Sequence, residues 1–263
     1  MRVIRTDKWL LDNYDKPLDL CEKLKSLFDK GVSATDIYQH LTMHGMYHAP
    51  LKNGDELIKT LQKQRIWHIV QKEAKELQKE WDGPDIPIFI FPADPTNRKL
   101  RQEQNGKSGL TFPDKLFLFI SEDNPEKEIR ALLTHEYHHV CRLSKYGKKE
   151  ADYTLLDTVI LEGLAENAVR ERLGDQYTGK WTSYYSDAVL EKICTNLLLP
   201  NRDTPKSGHK HSQLLYGLGF YPKMAGYCAG YHLVKKYMNK ADVTSQELLP
   251  VKSEKIIEKT DES

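Results

Sequence analysis

Residues 135–139 read His-Glu-Tyr-His-His, so two histidines stand four positions apart and a glutamate follows the first of them. Residues four apart in an α-helix lie on one face, one turn from each other, so the imidazoles of His135 and His139 can reach a single ion. Glu136 would stand beside that ion, where its carboxylate could take a proton from water. The spacing predicts a site for one Zn²⁺ ion, with His135 and His139 as ligands.

The segment that carries these residues is predicted to be a helix. Asn124-Pro125-Glu126 marks its start with a capping side chain, a proline for the first turn and an acid near the positive end of the helix dipole. Ordinary core or surface histidines on an amphipathic helix are the alternative to a metal site. The metal is favoured because the histidines interrupt an apolar stripe at helical spacing, which consists of Ile129, Leu132, Leu133, Val140 and Leu143.

A catalytic zinc needs a third protein ligand and an open position for water. Glu162 is the candidate, because Glu162 and Glu166 interrupt one of the most apolar stretches of the chain, Leu155 to Val169. An unpaired buried carboxylate is costly, and a metal would supply its partner. Glu166 is placed to accept a hydrogen bond from a ligand imidazole, with His135 favoured. The alternative is two solvated glutamates paired with the arginines that follow in the same helix.

The pairing of His-Glu-x-x-His with a later Glu-Gly-Leu-Ala-Glu resembles the gluzincin metallopeptidases, in which the third zinc ligand is a glutamate on the next helix. Most of the chain further resembles the YjaZ-type family of bacterial proteins, which are described as predicted zinc-dependent proteases. The stretches that carry this second resemblance include residues 106–110, 134–143, 155–166 and 226–231.

Carried over by position, the resemblance implies His135, His139 and Glu162 as zinc ligands. It implies Glu136 as the general base and Glu166 as an acid that supports a ligand.

The resemblance also implies a hydrogen-bond donor for the oxyanion, which gluzincins commonly supply as a Tyr or His from a later helix. The segment after Tyr221 offers Tyr227, Tyr231 and His232. Tyr227 is favoured because its distance downstream of Glu162 is similar to that of the corresponding donor in related enzymes, and Tyr231 one turn later shares its face. Both tyrosines follow glycines, so close helix packing is the alternative explanation.

An extended substrate in such enzymes usually pairs with an exposed strand beside the zinc. Ser108 to Phe112 is the candidate for this edge strand, because glycine and small side chains permit a close backbone approach. An ordinary hairpin strand would explain the same residues.

Other histidines and cysteines receive no metal role. His138 points about 100° away from its neighbour around the helix and is predicted to lie on the surface or behind a ligand. His209 and His211 are predicted to be solvated loop residues. Cys141 is expected to face away from the zinc, which argues against a deformylase, where a cysteine completes the same motif.

Composition indicates a soluble protein. The 263 residues contain 39 Lys and Arg against 38 Asp and Glu, so neither nucleic acid nor an anionic membrane surface is an expected partner. No apolar run approaches the roughly 20 residues that cross a bilayer, and Met1 to Asn13 lacks the apolar stretch of a secretion signal. The four cysteines form no CxxC pair and are typical of free thiols, so a cytoplasmic location is expected.

The elements around the motif predict an α+β fold that is mainly helical. A small, mostly antiparallel sheet should precede the motif helix, and a second ligand helix should follow it. The residues from Lys252 onward should form a charged, frayed end. The predicted elements are a capping box at Ser33 and Asp36, one long helix from Asp55 to Trp81, strands at Ile86 to Phe91, Gly109 to Phe112 and Lys115 to Ile120, a helix from Thr154 to Leu173, and a helical remainder to Met238 with a loop near Asn201 to Ser212.

Residues 1–82 are predicted to form a helical N-terminal lobe and residues 83–263 a metallopeptidase-like domain, unless the two are one continuous domain. The predicted activity is hydrolysis of a peptide bond in a peptide or protein substrate. One alternative is a non-catalytic, zinc-stabilised scaffold or regulatory protein, which would not require Glu136. Another is a metal-free helical interaction module. No feature of the sequence specifies an oligomeric state.

Overall fold

The structure, a computed structural model, describes residues 1–258. The final residues of the predicted frayed end, 259–263, lie outside the described residues. The chain divides into two compact units, Met1–Tyr137 and His138–Ser263, and the boundary falls inside one continuous helix that carries the His-Glu-x-x-His motif. In the described part of the chain, no helix has the length and apolar character needed to cross a bilayer.

The first unit combines short helices with a small sheet. Its elements are β1 (Arg2–Val3), α1 (Thr6–Asn13), α2 (Pro17–Glu22), α3 (Ala34–Met43), α4 (Gly54–Lys63), α5 (Ile66–Trp81), β2 (Pro87–Pro92), α6 (Arg98–Gln104), β3 (Ser108–Thr111), β4 (Leu116–Ile120) and the first part of α7 (Glu126–Lys145).

The sheet is mixed, and its strands lie in the order β1-β2-β4-β3. β2 runs parallel to both β1 and β4, and only the β3–β4 pair is antiparallel, so the expectation of a mostly antiparallel sheet is wrong. The apolar run of β4 is buried at every position, as is typical of a parallel strand covered on both faces. Since β4 occupies one side of β3, β3 forms an edge of the sheet.

The predicted helix from Asp55 to Trp81 is two helices. α4 ends at Lys63 and α5 begins at Ile66, with Arg65 between them in the left-handed region at φ 60°. The apolar pattern is interrupted at the same place, because Leu61 and Trp67 are six residues apart rather than the three or four of a continuous helix. The capping box at Ser33 and Asp36 is confirmed at the start of α3.

The second unit is helical and is built around a buried helix. Its elements are the rest of α7, then α8 (Leu155–Leu173), α9 (Asp187–Ile193), α10 (His209–Tyr216), α11 (Ala225–Ala241) and α12 (Ser253–Glu258), with short 3-10 turns and a π-helical turn at Cys194–Leu198 between them. The α+β, mainly helical fold class is confirmed. The helix predicted from Thr154 to Leu173 is also present as α8, and it ends before Gly174 as expected.

α8 and α11 approach each other closely enough to require glycine. A Cβ at Gly163 would lie 2.2 Å from the Gly230 carbonyl oxygen, and a Cβ at Gly230 would lie 2.1 Å from the Val159 carbonyl oxygen. The buried Asn167 amide of α8 donates to the Gly163 carbonyl of its own helix at 2.8 Å and, across the contact, to the Tyr231 carbonyl of α11 at 3.1 Å. Backbone therefore packs directly against backbone between these two helices.

The C-terminal segment is ordered rather than frayed over its described part. The buried Arg142 guanidinium of α7 donates to the carbonyls of Leu248, Leu249 and Val251. The Ser253 hydroxyl then donates to the buried Asp157 carboxylate of α8 at 2.9 Å. α12 begins at that serine and buries its two isoleucines. The expectation of a frayed end considered only the charged residues, so it was wrong for this segment.

We expect Gly230→Ala to destabilise the protein by about 2 kcal/mol or more, because the added methyl group meets backbone atoms that cannot move independently. Urea unfolding followed by far-UV circular dichroism measures the change. Gly208→Ala is the matched control, since its nearest neighbour would lie 3.3 Å away and its φ is −84°. Equal stabilities of the two variants would contradict the close contact.

Candidate metal centre

α7 supplies two imidazoles and an adjacent carboxylate. His135 and His139 lie one turn apart on this unbroken helix, and Glu136 follows the first of them. His139 is buried, whereas His135 and Glu136 are partly exposed. The helix therefore presents its two predicted ligands on one face, as the four-residue spacing requires.

α8 brings Glu162 to the same place. The Oε2 atom of Glu162 lies 3.4 Å from Nε2 of His139, and only about a tenth of either side chain is exposed. One ligand atom each from His135, His139 and Glu162 can be chosen so that all lie within 4.8 Å of one another. The structure thus brings together the three residues that the sequence nominated as ligands.

This donor set fits zinc. Two imidazoles and one carboxylate are a set by which proteins hold catalytic zinc, with the fourth position left for water. Zinc bonds of about 2.0–2.1 Å at tetrahedral angles place neighbouring ligand atoms about 3.3 Å apart. The observed 3.4 Å between Nε2 of His139 and Oε2 of Glu162 is close to that value, so these two atoms would need little movement to share an ion.

Glu136 is held against the edge strand β3. The Thr111 hydroxyl lies 2.6 Å from Oε2 of Glu136 and 3.1 Å from the Glu136 carbonyl oxygen. Gly109 faces the same side chain, because a Cβ built there would lie 2.3 Å from Cγ and 2.4 Å from Cδ of Glu136. The predicted edge strand is therefore present, and its small residues accommodate Glu136.

Tyr227 of α11 lies beside Glu162, the predicted third ligand. Burial is the main cause that raises the pKa of Tyr227 well above its ordinary value, followed by the charge of Glu162 and by Tyr216. The Tyr227 phenol is hydrogen-bonded to both groups, and the rings of Tyr216 and Tyr227 are 5.7 Å apart. Burial and then Glu162 also raise the pKa of Tyr216. Both phenols stay protonated at neutral pH and can donate hydrogen bonds.

The other two donor candidates are engaged elsewhere. The Tyr231 hydroxyl donates to Asp175 at 3.2 Å, and burial followed by Asp175 raises its pKa. His232 contacts Glu191 of α9 at 3.0 Å. Among the three candidates on α11, the structure brings only Tyr227 next to a predicted ligand, and the glycine packing that was its alternative explanation is also present.

Glu166 is buried one turn after Glu162. Its Oε1 atom accepts a hydrogen bond of 2.5 Å from the backbone N–H of Gly179. This contact ties the loop after α8 to α8 itself. The predicted bond between Glu166 and His135 stays a prediction.

Several expectations for neighbouring residues need correction. Of the two places expected for His138, on the surface or behind a ligand, the surface is wrong, because the side chain is fully buried with Nε2 3.4 Å from the Ser245 carbonyl oxygen. His209 and His211 do not lie in a loop, because α10 begins at His209. His209 is exposed, but His211 is buried and contacts Thr158 at 3.0 Å.

Cys141 is buried, and no cysteine belongs to the metal-ligand group found among residues 1–258.

The contacts that two residues make at the site are not predicted from the sequence. Thr111 lies in a strand whose register against α7 is set by long-range packing, so nothing local links it to Glu136. Tyr216 ends α10 and reaches Tyr227 only through the fold. A tyrosine before Gly-Leu-Gly gives no signal of that contact.

The sequence matches the model of the family described as "Predicted Zn-dependent protease (DUF2268)" over residues 66–258. The chain belongs to this family. The matched region includes β2 to β4, α7, α8 and α11, and therefore all the residues placed at the metal centre.

Two relatives of the family member described here come from Bacillus subtilis (strain 168). The chain is 42% identical to "Uncharacterized protein YjaZ" over 222 residues, which are 84% of this chain and 85% of that protein. It is 26% identical to "Uncharacterized protein YjfC" over 195 residues, 70% of this chain and 64% of the relative. No solved structure matches the chain. The resemblance to the YjaZ-type family is thus confirmed, and the family description supports a zinc-dependent peptidase.

We expect the purified protein to bind one Zn²⁺ per chain and the variants His139→Ala and Glu162→Ala to bind it far more weakly. The loss should exceed about 100-fold, the upper figure for removing a residue that only supports a ligand. Competition with a chromophoric chelator measures the affinity. Zinc at 100 times its Kd should also stabilise the wild type by about 2.7 kcal/mol.

His209→Ala is the matched histidine control, because His209 is exposed and lies outside the ligand group. It should bind zinc like the wild type. A Glu162→Ala variant with unchanged zinc affinity would exclude Glu162 as the third ligand.

Proposed function

We propose that this chain is a gluzincin-like, single-zinc peptidase that hydrolyses peptide bonds. His135, His139 and Glu162 would hold the ion, and Glu136 would act as the general base. The observation that carries the proposal is the His135-His139-Glu162 group, whose ligand atoms lie within 4.8 Å of one another beside Glu136. Membership of a family described as predicted zinc-dependent proteases supports it.

Zinc held by these ligands would acidify water and polarise the carbonyl of the scissile bond. Glu136 would take the proton of the attacking water and later deliver it to the departing amine. Its carboxylate is suited to both steps because it is partly exposed and directly follows a ligand.

The Tyr227 phenol would donate a hydrogen bond to the oxyanion that develops on the substrate carbonyl. Its position beside Glu162, a proposed ligand, supports this role, since a phenol is a hydrogen-bond donor. Glu166 would hold a ligand imidazole in its orientation. Tyr231 has no part in this scheme because its hydroxyl is directed to Asp175.

The substrate would be a peptide or protein segment in extended form. β3 lies at the edge of its sheet, and its residues Ser108 to Thr111 are all partly exposed, which suits backbone pairing with such a segment. The near-neutral charge gives no reason to add nucleic acid or a membrane surface as a partner. The four buried thiols suit a reducing compartment, so we place the enzyme in the cytoplasm.

We expect Glu136→Gln to keep zinc and to lose peptide cleavage by about 10²- to 10⁴-fold, because the amide cannot accept the proton from water. Release of peptides from denatured casein, followed by mass spectrometry, measures turnover, and the chelator assay measures zinc. If Glu136→Gln cleaves as fast as the wild type, Glu136 is not the base.

The same pair of proteins separates a peptidase from a zinc-stabilised scaffold. A scaffold would bind zinc in both proteins and cleave nothing in either. Removing the metal from a peptidase with a chelator should abolish cleavage, and adding zinc back should restore it.

We expect Tyr227→Phe to lower kcat by about 10²- to 10³-fold with little change in zinc affinity, since only the oxyanion donor is removed. Tyr231→Phe is the matched control on the same helix and should retain kcat within about threefold, because its hydroxyl contacts Asp175. Steady-state kinetics on one peptide identified in the casein digest compares them. If Tyr231→Phe lowered kcat more than Tyr227→Phe, Tyr231 rather than Tyr227 would be the donor.

A further inference from the structure

The side chain of Glu136 meets one face of β3 at two points. Residues two apart in a strand point to the same face, so Gly109 and Thr111 both face α7. Thr111 provides the hydroxyl 2.6 Å from Oε2 of Glu136, and Gly109 leaves room for the side chain stem. We call these two strand residues the glutamate cradle.

The cradle fixes one oxygen of the carboxylate and leaves the other available. The Thr111 hydroxyl has a single hydrogen, and a carboxylate at 2.6 Å accepts it more strongly than the carbonyl oxygen at 3.1 Å. That bond occupies Oε2. Oε1 receives nothing from Thr111, so a proton can be taken there while the side chain keeps its rotamer.

The strand that forms the cradle is itself held in place. β3 pairs with β4 along its length, with Thr111 opposite Leu116. At the other end the Ser108 hydroxyl donates to the His44 carbonyl at 2.7 Å. A donor on an anchored strand fixes its acceptor more firmly than a donor on a mobile loop.

We propose that Thr111 is a positioning residue that orients the Glu136 carboxylate for proton transfer, and that Gly109 is required to make room for it. The proposal rests on the proposed function and adds to it the residues that hold its general base. Thr111 acts through Glu136 and touches no reacting atom.

The direct experiment compares Thr111→Val, Thr111→Ser and wild type. Valine keeps the shape and removes the hydroxyl, whereas serine keeps the hydroxyl. We expect Thr111→Val to lower kcat by about 10- to 100-fold, in the range for loss of a hydrogen bond to a charged group, with KM and zinc content unchanged. Thr111→Ser should recover kcat to within about threefold of wild type.

Two further variants separate positioning from a general effect of replacing a threonine by valine. Thr96→Val removes a hydroxyl that donates to the Asp94 carboxylate, outside the cradle and outside β3, and should leave kcat unaltered. In the Glu136→Gln background, Thr111→Val should lower kcat by less than twofold, because the group it positions has already lost its function. An undiminished further loss there, or a serine variant as slow as the valine variant, would overturn the proposal.

A structural measurement keeps the inference independent of turnover. Crystal structures of wild type, Thr111→Val and Gly109→Ala should show the Glu136 carboxylate displaced or in several rotamers in both variants. An unmoved carboxylate in Thr111→Val would overturn the cradle even in an active enzyme. Displacement in a protein whose wild type cleaves no peptide would support the cradle while refuting the peptidase.

Discussion

The backbone contact between α8 and α11 is the constraint on which much of the site depends. Gly163 immediately follows Glu162, and no side chain separates it from the Gly230 carbonyl. At this separation Tyr227, which lies on α11 one turn before Gly230, reaches the carboxylate of Glu162. A Cβ at either glycine would meet backbone atoms of the facing helix, so a larger residue would change the separation of the helices that carry Glu162 and Tyr227. The glycines of α11 allow close helix packing, and the same packing brings Tyr227 to Glu162. The two explanations given for this segment, close packing and a tyrosine donor, are therefore compatible.

Buried charges stabilise the part of α7 that follows the motif. Arg142 lies three residues after His139, and burial lowers its pKa to about 10, so it remains a cation at neutral pH. An unpaired buried cation would be costly, but three backbone carbonyls and nearby Asp157 satisfy it. Asp157 in turn accepts bonds from Tyr146, Lys148 and Ser253. Within the second unit, this network ties α7 to the start of α8 and to α12.

Adjacent residues on α7 serve different neighbours. His135 and His139 face the carboxylate supplied by α8, whereas Glu136 turns to β3. The edge strand thus limits where the carboxylate of Glu136, the proposed general base, can lie. The sheet therefore does more than form a core. β4 holds β3 in register, and that register places the Thr111 hydroxyl next to the Glu136 carboxylate.

Local sequence features were enough to predict most elements. Capping residues, glycines and apolar runs gave α3, α8 and the three longer strands, because these signals act within a few residues of the chain. Strand direction was predicted wrongly, since apolar runs such as β2 and β4 look the same whether they pair parallel or antiparallel. α12 was missed because its burial depends on Arg142 and Asp157, which are distant in sequence.

The sequence by itself determined the chemical types at the site, and it did so through helical spacing. Four-residue intervals place His135 with His139, and an acid that interrupts an apolar helix nominated Glu162. The family resemblance agreed with that choice and nominated Tyr227. Only the tertiary structure decided which groups meet: Tyr227 with Glu162, Tyr231 with Asp175, and Thr111 with Glu136. The reason is physical. Spacing along one helix follows from backbone geometry, whereas contacts between elements depend on how closely whole helices and strands can pack.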